Sequence, residues 1–471
     1  MAAPARPASK PLDRSIVEGP IARAVWMLAW PTMVQNLIGG LQGMVDHALV
    51  GHFVGYAGNA AIGVAIQIFI VVIVFMMSVF SGMGVLVARF AGANDPEQVN
   101  RTVYQAFLAA VALWAVVLAP LGWILAPWLL DVVHAKPAVQ TEALPFLRLM
   151  FVGSLGMLLF FMVSGALRAA GDARTPMRLG VILTILNIAF NVAFITGLGP
   201  FPRMGTAGAA VGTTIASLIV ASYAGYLLFS GRLPVTWHRG MDWRPDWTVI
   251  RALFRFGLPT GAQGIAMNVA GVMLLRFIGS LPQSAEAQAT YAVSYSELFS
   301  FITWTSVGLM SAAATVAGQN LGAGRPDRSV QGVHRAAMLG LALAAVIGVL
   351  FLTLPRFLLG LFGMTDPVVV DLGVQLLRFL SVSGLFVSVA LTYTGGLQGT
   401  GDTRSPLFIS IASQIVVPLG LCAVLQSMRP LGPADIWTAI LLGHMTRCAL
   451  SVLRFRQGKW RTIRVDVAHG R

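Results

Sequence analysis

From Gly63 to Ala88 the chain reads GVAIQIFIVVIVFMMSVFSGMGVLVA, 26 residues with no charge. About 20 apolar residues cross a ~30 Å hydrocarbon core as a helix, so a run of this kind marks a membrane span. Breaking the chain at Gly, Pro and charge clusters gives twelve such segments: 25–49, 60–88, 103–127, 143–165, 177–197, 207–230, 251–279, 288–317, 333–354, 372–395, 406–427 and 436–455. Backbone in lipid must satisfy its own hydrogen bonds, which leaves helices or closed barrels. The run lengths and the lack of alternation exclude a barrel. The expected fold is therefore all-α and integral to the membrane, with twelve transmembrane helices in two pseudo-symmetric six-helix bundles.

Only 11% of the 471 residues are charged and 56% are hydrophobic, outside the range of soluble domains. The formal charge of +14 would point to nucleic acid in a soluble chain. Here the basic residues lie between apolar runs and form no face of their own, so no nucleic-acid partner is expected and topology is their use. Arg6, Lys10, Arg14 and Arg23 precede span one; Arg89, Arg101, Arg168, Arg174 and Arg178 flank the loops after spans two and four. Arg232, Arg239, Arg244, Arg251 and Arg255 follow span six, and Arg325, Arg328, Arg335, Arg404 and a basic run from Arg447 to Arg471 complete that side. The opposite loops hold only Lys136, Arg203, Arg356 and Arg429. By the positive-inside rule both termini are cytoplasmic, in the inner (plasma) membrane. The polar, Pro-containing start reads as a cytosolic tail rather than a signal peptide. Cys422 and Cys448 have no partner spacing, so no disulfide framework, metal site or cofactor is expected.

A second constraint is internal repetition. LRAAGDARTPM at 167–177 and LQGTGDTRSPL at 397–407 lie 230 positions apart. Gly92-Ala93 and Pro96 match Gly322-Ala323 and Pro326 at the same offset, as do Arg148 and Arg378. Pro31-Thr32-x-x-Gln35 matches Pro259-Thr260-x-x-Gln263 at 228. The chain is thus read as a cytosolic tail (1–24), a first lobe (25–230, spans 1–6), a polar Trp-rich cytoplasmic connector (231–250), a second lobe (251–455, spans 7–12) and a C-terminal tail (456–471). An even number of spans per lobe makes the repeats parallel, with substrate expected at the midplane. The Gly-Asp-x-Arg-x-Pro phrases read as the same helix–loop–helix connector built twice, with Gly ending one helix and Pro in the first turn of the next.

Seven phrases together, MVDHALVGH (44–52), LRAAGDARTPM, NIAFNVAF (187–194), MGTAGAAVGT (204–213), YAVSYSELFSF (291–301), GQNLGAGRPDRS (318–329) and LQGTGDTRSPL, resemble the bacterial form of the multidrug and toxic-compound extrusion (MATE) family. The resemblance runs in order over nearly the whole chain. It implies an exporter of organic cations or amphiphiles, working by alternating access in exchange for protons or sodium ions, as a single chain in the bilayer.

Mid-bilayer acids need a reason, since a charge there costs roughly 2.5–3.5 kcal/mol on insertion scales. Asp46, late in span one, and Glu297, a third of the way into span eight, are the two candidates. A purely structural use would pair them with Arg148, Arg276 or Arg378. The family resemblance places a cation- or proton-binding carboxylate at Asp46, a helix-bending proline at Pro31 and a polar pair at Asn187 and Asn191. Residues four apart share a helix face, so both amides can serve one carboxylate. Thr213 or its neighbour Thr214 would complete that site. Pro259 is the second bending proline. Where sodium-coupled members carry acids in the second lobe, this chain reads Asn268 and Val387, and the repeat equivalent of Asp46 is Leu274. The reading is therefore proton coupling through the first lobe, with sodium the alternative. Glu297 aligns with Gln67, and these two, with Gln35, Gln263 and Asn268, are candidate polar contacts for substrate or coupling.

Phe75, Met76, Met77, Met157, Phe160, Phe161 and Met310 could line an adaptable cavity or simply face lipid or core. Trp123, Trp128 and Trp437 are expected to anchor at the interface, with His52. His47 stands next to Asp46. A flippase for lipid-linked oligosaccharides shares such an architecture but calls for a more cationic cavity. An intramembrane enzyme is disfavoured because no metal motif or ordered nucleophile and base appears.

Overall fold

The computed structural model describes residues 12–133, 136–238 and 240–465; Arg6, Lys10, Arg239, Arg471 and the side chain of Phe75 lie outside what is described. The described chain is all-α. Twelve long helices are α1 (Ile21–Phe53), α2 (Tyr56–Gly92), α3 (Pro96–Val132), α4 (Pro137–Ala169), α5 (Arg174–Thr196), α6 (Thr206–Phe229), α7 (Trp247–Gly279), α8 (Ser284–Gly322), α9 (Pro326–Thr353), α10 (Pro367–Gly399), α11 (Arg404–Met428) and α12 (Pro433–Arg456). Eleven, α2 to α12, are long and apolar enough to cross a membrane. α1 has the length, 33 residues, but falls short in hydropathy because it carries Gln35, Asn36, Gln42, Asp46 and His47.

Local chemistry sets the helix ends. Pro opens α3, α4, α9, α10 and α12, where its missing N–H costs nothing. Asp366 caps α10 by accepting from the amides of Val368 (2.9 Å) and Val369 (3.1 Å). In the repeated connector, Gly171 and Gly401 take φ of 104° and 95°, a conformation open to glycine. Asp172 then accepts from the Thr175 amide (3.0 Å) and hydroxyl (2.6 Å), and Asp402 from the Ser405 amide (3.2 Å) and hydroxyl (2.9 Å). Asp402 takes in addition the Nε–H of Arg454 at 2.9 Å. Each phrase is therefore a cap, and the second is also an anchor for the end of α12.

Three helices widen by one π-type turn, at Trp114–Leu118 in α3, Ala292–Leu298 in α8 and Ala412–Val416 in α11. The first and third lie just ahead of Pro120 and Pro418, whose rings would clash with a regular preceding turn. The turn in α8 has no proline and holds Ser294, Tyr295 and Glu297.

The chain divides into two compact units, one built on Val34–Leu258 and the other on Arg14–Met33 with Pro259–Val465. The polypeptide passes from one to the other inside α1 and inside α7, within three residues of Pro31 and Pro259. In the first unit α4 packs against α2 and α6; in the second, the repeat-equivalent α10 packs against α8 and α12. The first core holds Val50, Phe69, Leu147, Phe151 and Ile195. The second holds Ile302, Leu376, Leu380, Ile436 and Trp437. Trp437 is 0% exposed and stacks with Tyr291 at 6.5 Å, so it is a core residue and not an interface anchor, whereas Trp123 and Trp128 are exposed as expected.

The segments that lead into α1 and α7 are both tied down. In the second unit, Asn320 Nδ2 donates to Ile16 O (3.3 Å), Arg325 Nη1 to Val17 O (3.0 Å) and Arg328 Nη2 to Gly19 O (2.7 Å), holding a short helix at Ser15–Glu18. In the first unit, Thr236 and residues 243–246 lie along α3 through Thr236 N to Asn100 Oδ1 (2.8 Å), Tyr104 OH to Trp243 O (3.0 Å) and Gln105 Nε2 to Arg244 O (2.8 Å). Asp246 pairs with Arg101. Burial opposes the charge of Asp246, but hydrogen bonds from Thr248 and the Arg101 guanidinium outweigh it and hold the carboxyl below its ordinary range.

Close helix approach depends on small residues. A Cβ on Gly395 or Gly399 of α10 would lie 2.1 Å from the carbonyl oxygens of Met310 and Ala314 on α8. This is the spacing by which membrane helices bring backbones together. Gly399→Ala should therefore destabilise the second unit by about 1–3 kcal/mol, as overpacking does. Gly420→Ala, where a Cβ meets nothing within 4 Å, should leave the detergent melting temperature unchanged or raised. Equal melting of the two variants would refute this account of the α8–α10 contact.

Candidate functional site

The polar residues of α1 that lower its hydropathy form one stripe. Gln35, Gln42 and Asp46 are spaced i, i+7, i+11 and lie on one helix face. α5 presents the matching series Gly180, Thr184, Asn187 and Asn191. Gln35 lies against Gly180, whose absent Cβ would be 3.1 Å from Gln35 Cγ. Thr184 Oγ1 donates to Gln42 Oε1 at 2.7 Å. Asn191 Nδ2 donates to Asp46 Oδ1 at 2.8 Å.

From Asp46 the hydrogen bonds continue inward. Asn191 Nδ2 also donates to Asn187 Oδ1 at 3.2 Å, Asn187 Nδ2 to Thr213 Oγ1 at 2.8 Å, and Thr213 Oγ1 to Ala209 O at 2.8 Å. Asn187 and Asn191 are both fully buried. Asp46, Asn187, Asn191 and Thr213 are thus brought into one chain of contacts. Of the two threonines, Thr213 makes this contact and Thr214 packs against Gly153 of α4. α6 comes close enough only because Gly208 and Gly212 face α5; a Cβ on Gly212 would lie 2.2 Å from Asn191 Oδ1.

Asp46 is half-buried and has no ion pair among the described residues. Arg148, a possible partner, instead donates to Trp123 O (3.3 Å) and lies over the Trp123 ring at 4.9 Å. His47, the next residue, has its Nδ1 2.7 Å from Asn59 Oδ1. Asn191 Oδ1 is buried with no donor among the described residues, so an acceptor stands open one residue from the carboxylate. A carboxyl group held by a neutral amide can exist in either protonation state without breaking a salt bridge.

The other residues singled out in the sequence are dispersed. Gln35 accepts from Arg168 Nη1 at 3.2 Å. Its repeat equivalent Gln263, 6% exposed, accepts from Gln398 Nε2 at 3.1 Å and donates to Ser410 Oγ at 2.8 Å. Gln398 and Ser410 stand 230 positions after Arg168 and Gly180, so both lobes build a contact on the same three positions with different chemistry. Asn268 spends its amide on Gly264 O of its own helix at 2.9 Å. Gln67 is exposed, and Glu297 is half-buried with no side-chain hydrogen bond or ion pair among the described residues. Phe69, Met76, Met77, Phe80, Met157 and Phe161 converge on an apolar recess with only about 10 Å³ of free space, room for no more than about one water. Phe160 is core, at 3% exposure.

Two residues were missed. His444 and Arg447 lie deep within α12 at 4% exposure each, with Tyr295 and Phe299 of α8 stacked over the imidazole at 6.4 and 5.9 Å. Arg447, grouped with the cytoplasmic tail on sequence, therefore says nothing about topology. Its signal was its place fourteen residues after Pro433, inside the apolar run.

The MatE family model matches residues 31–193 and 259–424, one stretch in each repeat. The probable multidrug resistance protein NorM of Deinococcus radiodurans is 30% identical over 445 residues, covering 92% of this chain and 94% of the relative. Its namesake from Thermotoga maritima is 27% identical, covering 93% of each. Among solved structures, an outward-facing multidrug resistance MATE family transporter of the MOP superfamily superposes with a TM-score of 0.88 at 20% identity, over 97% of this chain and all of the other. A MOP superfamily transporter from Pyrococcus furiosus gives 0.87 at the same identity, over 95% of this chain and 98% of the other. With both repeats matched in sequence and the all-helical fold matched end to end, the chain belongs to the MATE family of multi-pass membrane transporters and is not an enzyme.

Proposed function

We propose that this transporter is a multidrug exporter that moves organic cations or amphiphiles out of the cell in exchange for protons, with Asp46 as the group that loads and releases the proton. The observation that carries this reading is a carboxyl group inside a long membrane helix, held by Asn191 and in no ion pair among the described residues. An acid kept at that cost without a counter-charge needs a use. Asn191, Asn187 and Thr213 supply a line of neutral polar groups leading inward from the carboxyl, and the open Asn191 Oδ1 can receive a hydrogen or a cation. The second lobe offers Asn268 and buried Val387 where sodium-coupled members were expected to carry acids, which favours protons over sodium. The relatives known as probable multidrug resistance proteins support the multidrug substrate class.

The same reading places the protein in the inner membrane with both termini cytoplasmic, acting as a single chain without cofactor. Arg89, Arg101, Arg168, Arg174 and Arg178 all fall at the same ends of α2 to α5. The opposite ends hold only Lys136, Arg203, Arg356 and Arg429 among the described loop residues, which is the asymmetry that sets orientation. Exchanging one proton for one monovalent cation moves no net charge, so the membrane potential contributes nothing. The driving force is the pH gradient alone, ~1.4 kcal/mol per unit.

In reconstituted vesicles, uphill movement of a fluorescent lipophilic cation should follow an imposed pH gradient and ignore an imposed sodium gradient. Asp46→Asn keeps the shape but cannot titrate; it should reduce gradient-driven transport to background while leaving the protein inserted. Sodium-driven export surviving in Asp46→Asn vesicles at zero pH gradient would sink the assignment. A companion prediction tests the geometry without touching the acid. Gly212→Ala forces Asn191 off its contact and should slow proton-driven transport about ten-fold, the loss of roughly one hydrogen bond to a charged group. Gly63→Ala, with nothing within 4 Å of its Cβ, should not slow it.

A further inference from the structure

The repeat exposes a difference between two equivalent helix faces. On α3, Arg101, Tyr104 and Gln105 are covered by residues 243–246, with Tyr104 at 7% and Gln105 at 1% exposure. Their counterparts 230 positions on are Gln331, His334 and Arg335 of α9, and all three are exposed. No described residue bonds to the Arg335 guanidinium. With Arg328 they line a groove of about 550 Å³ whose other wall is Gly19–Ala22, the start of α1. It continues, sharing Ala22, Arg335 and Met338, into a second groove of about 270 Å³ lined by Val25, Trp26 and Leu339.

The first groove is cationic and the second apolar. Arg328 is fixed by its bonds to Gly19 O (2.7 Å) and Asn320 Oδ1 (3.2 Å), so its charge is already in place. No acid lines either groove, and the nearest acids along the chain are engaged: Glu18 with Arg14 (2.7 Å) and Asp327 with Arg461 (3.0 Å). Trp26 and Met338 are 48% and 50% exposed, an amphipathic ring and a thioether on a surface that meets the bilayer. In the first unit the covering segment brings Asp246 to Arg101. The eleven residues ahead of the described chain carry Arg6 and Lys10 and no acid, so they have the wrong charge to do the same here.

We propose that this trough on the second unit binds an anionic phospholipid, its phosphate between Arg328 and Arg335 and its acyl chains along Trp26, Met338 and Leu339. Basic recesses between membrane helices on the cytoplasmic side select such headgroups, and each Arg near the surface adds a comparable increment of affinity. The first turn of α1, which opens on the same groove, adds its amide dipoles to the attraction. The lipid takes the part in this repeat that the connector takes in the other: an anion laid along the repeat-equivalent helix position, bracing the segment that enters the first helix of a bundle.

The test is lipid retention by the purified full chain, read by native mass spectrometry after delipidation and addition of phosphatidylglycerol or phosphatidylcholine. Phosphatidylglycerol should be retained in preference, and Arg335→Gln should lower its retention about five-fold, the effect of ~1 kcal/mol per Arg. Arg335→Lys should keep most of it. Because Arg335 is exposed and unpartnered among the described residues, the lipid-free melting temperature should be the same in all three proteins. Equal retention of the two lipids, or unchanged retention in Arg335→Gln, overturns the proposal. Displacement of the lipid by an equal concentration of inorganic phosphate would reduce the trough to a phosphate site and overturn it as well. A rise in retention on deleting residues 1–11 would identify the chain's own tail as the occupant.

Discussion

The 2.8 Å contact from Asn191 to Asp46 exists because three helices of the first unit are allowed to approach closely. Gly180 makes room for Gln35, Gly212 makes room for Asn191, and Gly208 brings the backbone of α6 onto Phe194. In lipid no hydrophobic force drives helices together, so packing and interhelical hydrogen bonds must do it. The polar stripe of α1 is therefore the glue that seats α1 on α5, and it carries the carboxyl group proposed to exchange the proton. The low hydropathy of α1 follows directly: a helix that carries Gln35, Gln42 and Asp46 cannot also be uniformly apolar.

The two repeats show one scaffold with divergent content. The caps at Asp172 and Asp402 are nearly superimposable in their hydrogen bonds, since both must end one helix and start the next. Away from the caps the correspondence holds in position and fails in chemistry. Gln35 meets Arg168 and a glycine; Gln263 meets Gln398 and a serine. Asp46 corresponds to Leu274, while the second unit buries His444 and Arg447, which the first unit lacks at 214 and 217. An acid held by amides in one unit and a buried His444 and Arg447 in the other give the two halves different chemistry on the same fold.

Much of this was legible in the sequence. Long chargeless runs fix helices because lipid offers the backbone no other partner, and a glycine followed by Asp-x-Arg-x-Pro fixes a cap by local chemistry alone. Asn187 and Asn191 could be assigned to one face because four residues make about one turn. What was not legible depends on the third dimension. Trp437 reads as an interfacial ring until α8 is seen stacked on it, and Arg447 reads as one of a basic run until its burial within α12 is seen. The joining of residues 14–33 to the second unit rests on carbonyls at Ile16, Val17 and Gly19, which every sequence possesses. Thr213 and Thr214 are chemically alike and differ only in the side of α6 from which they project.

The central claim is that the carboxyl group of Asp46 exchanges a proton as substrate binds. The most direct measurement is proton release by the purified protein in weakly buffered detergent solution when a lipophilic cation is added at near-neutral pH. The account predicts about one proton released per chain in the wild type and none in Asp46→Asn, with substrate still bound by the variant. Equal proton release from both proteins would place the titrating group elsewhere and contradict it.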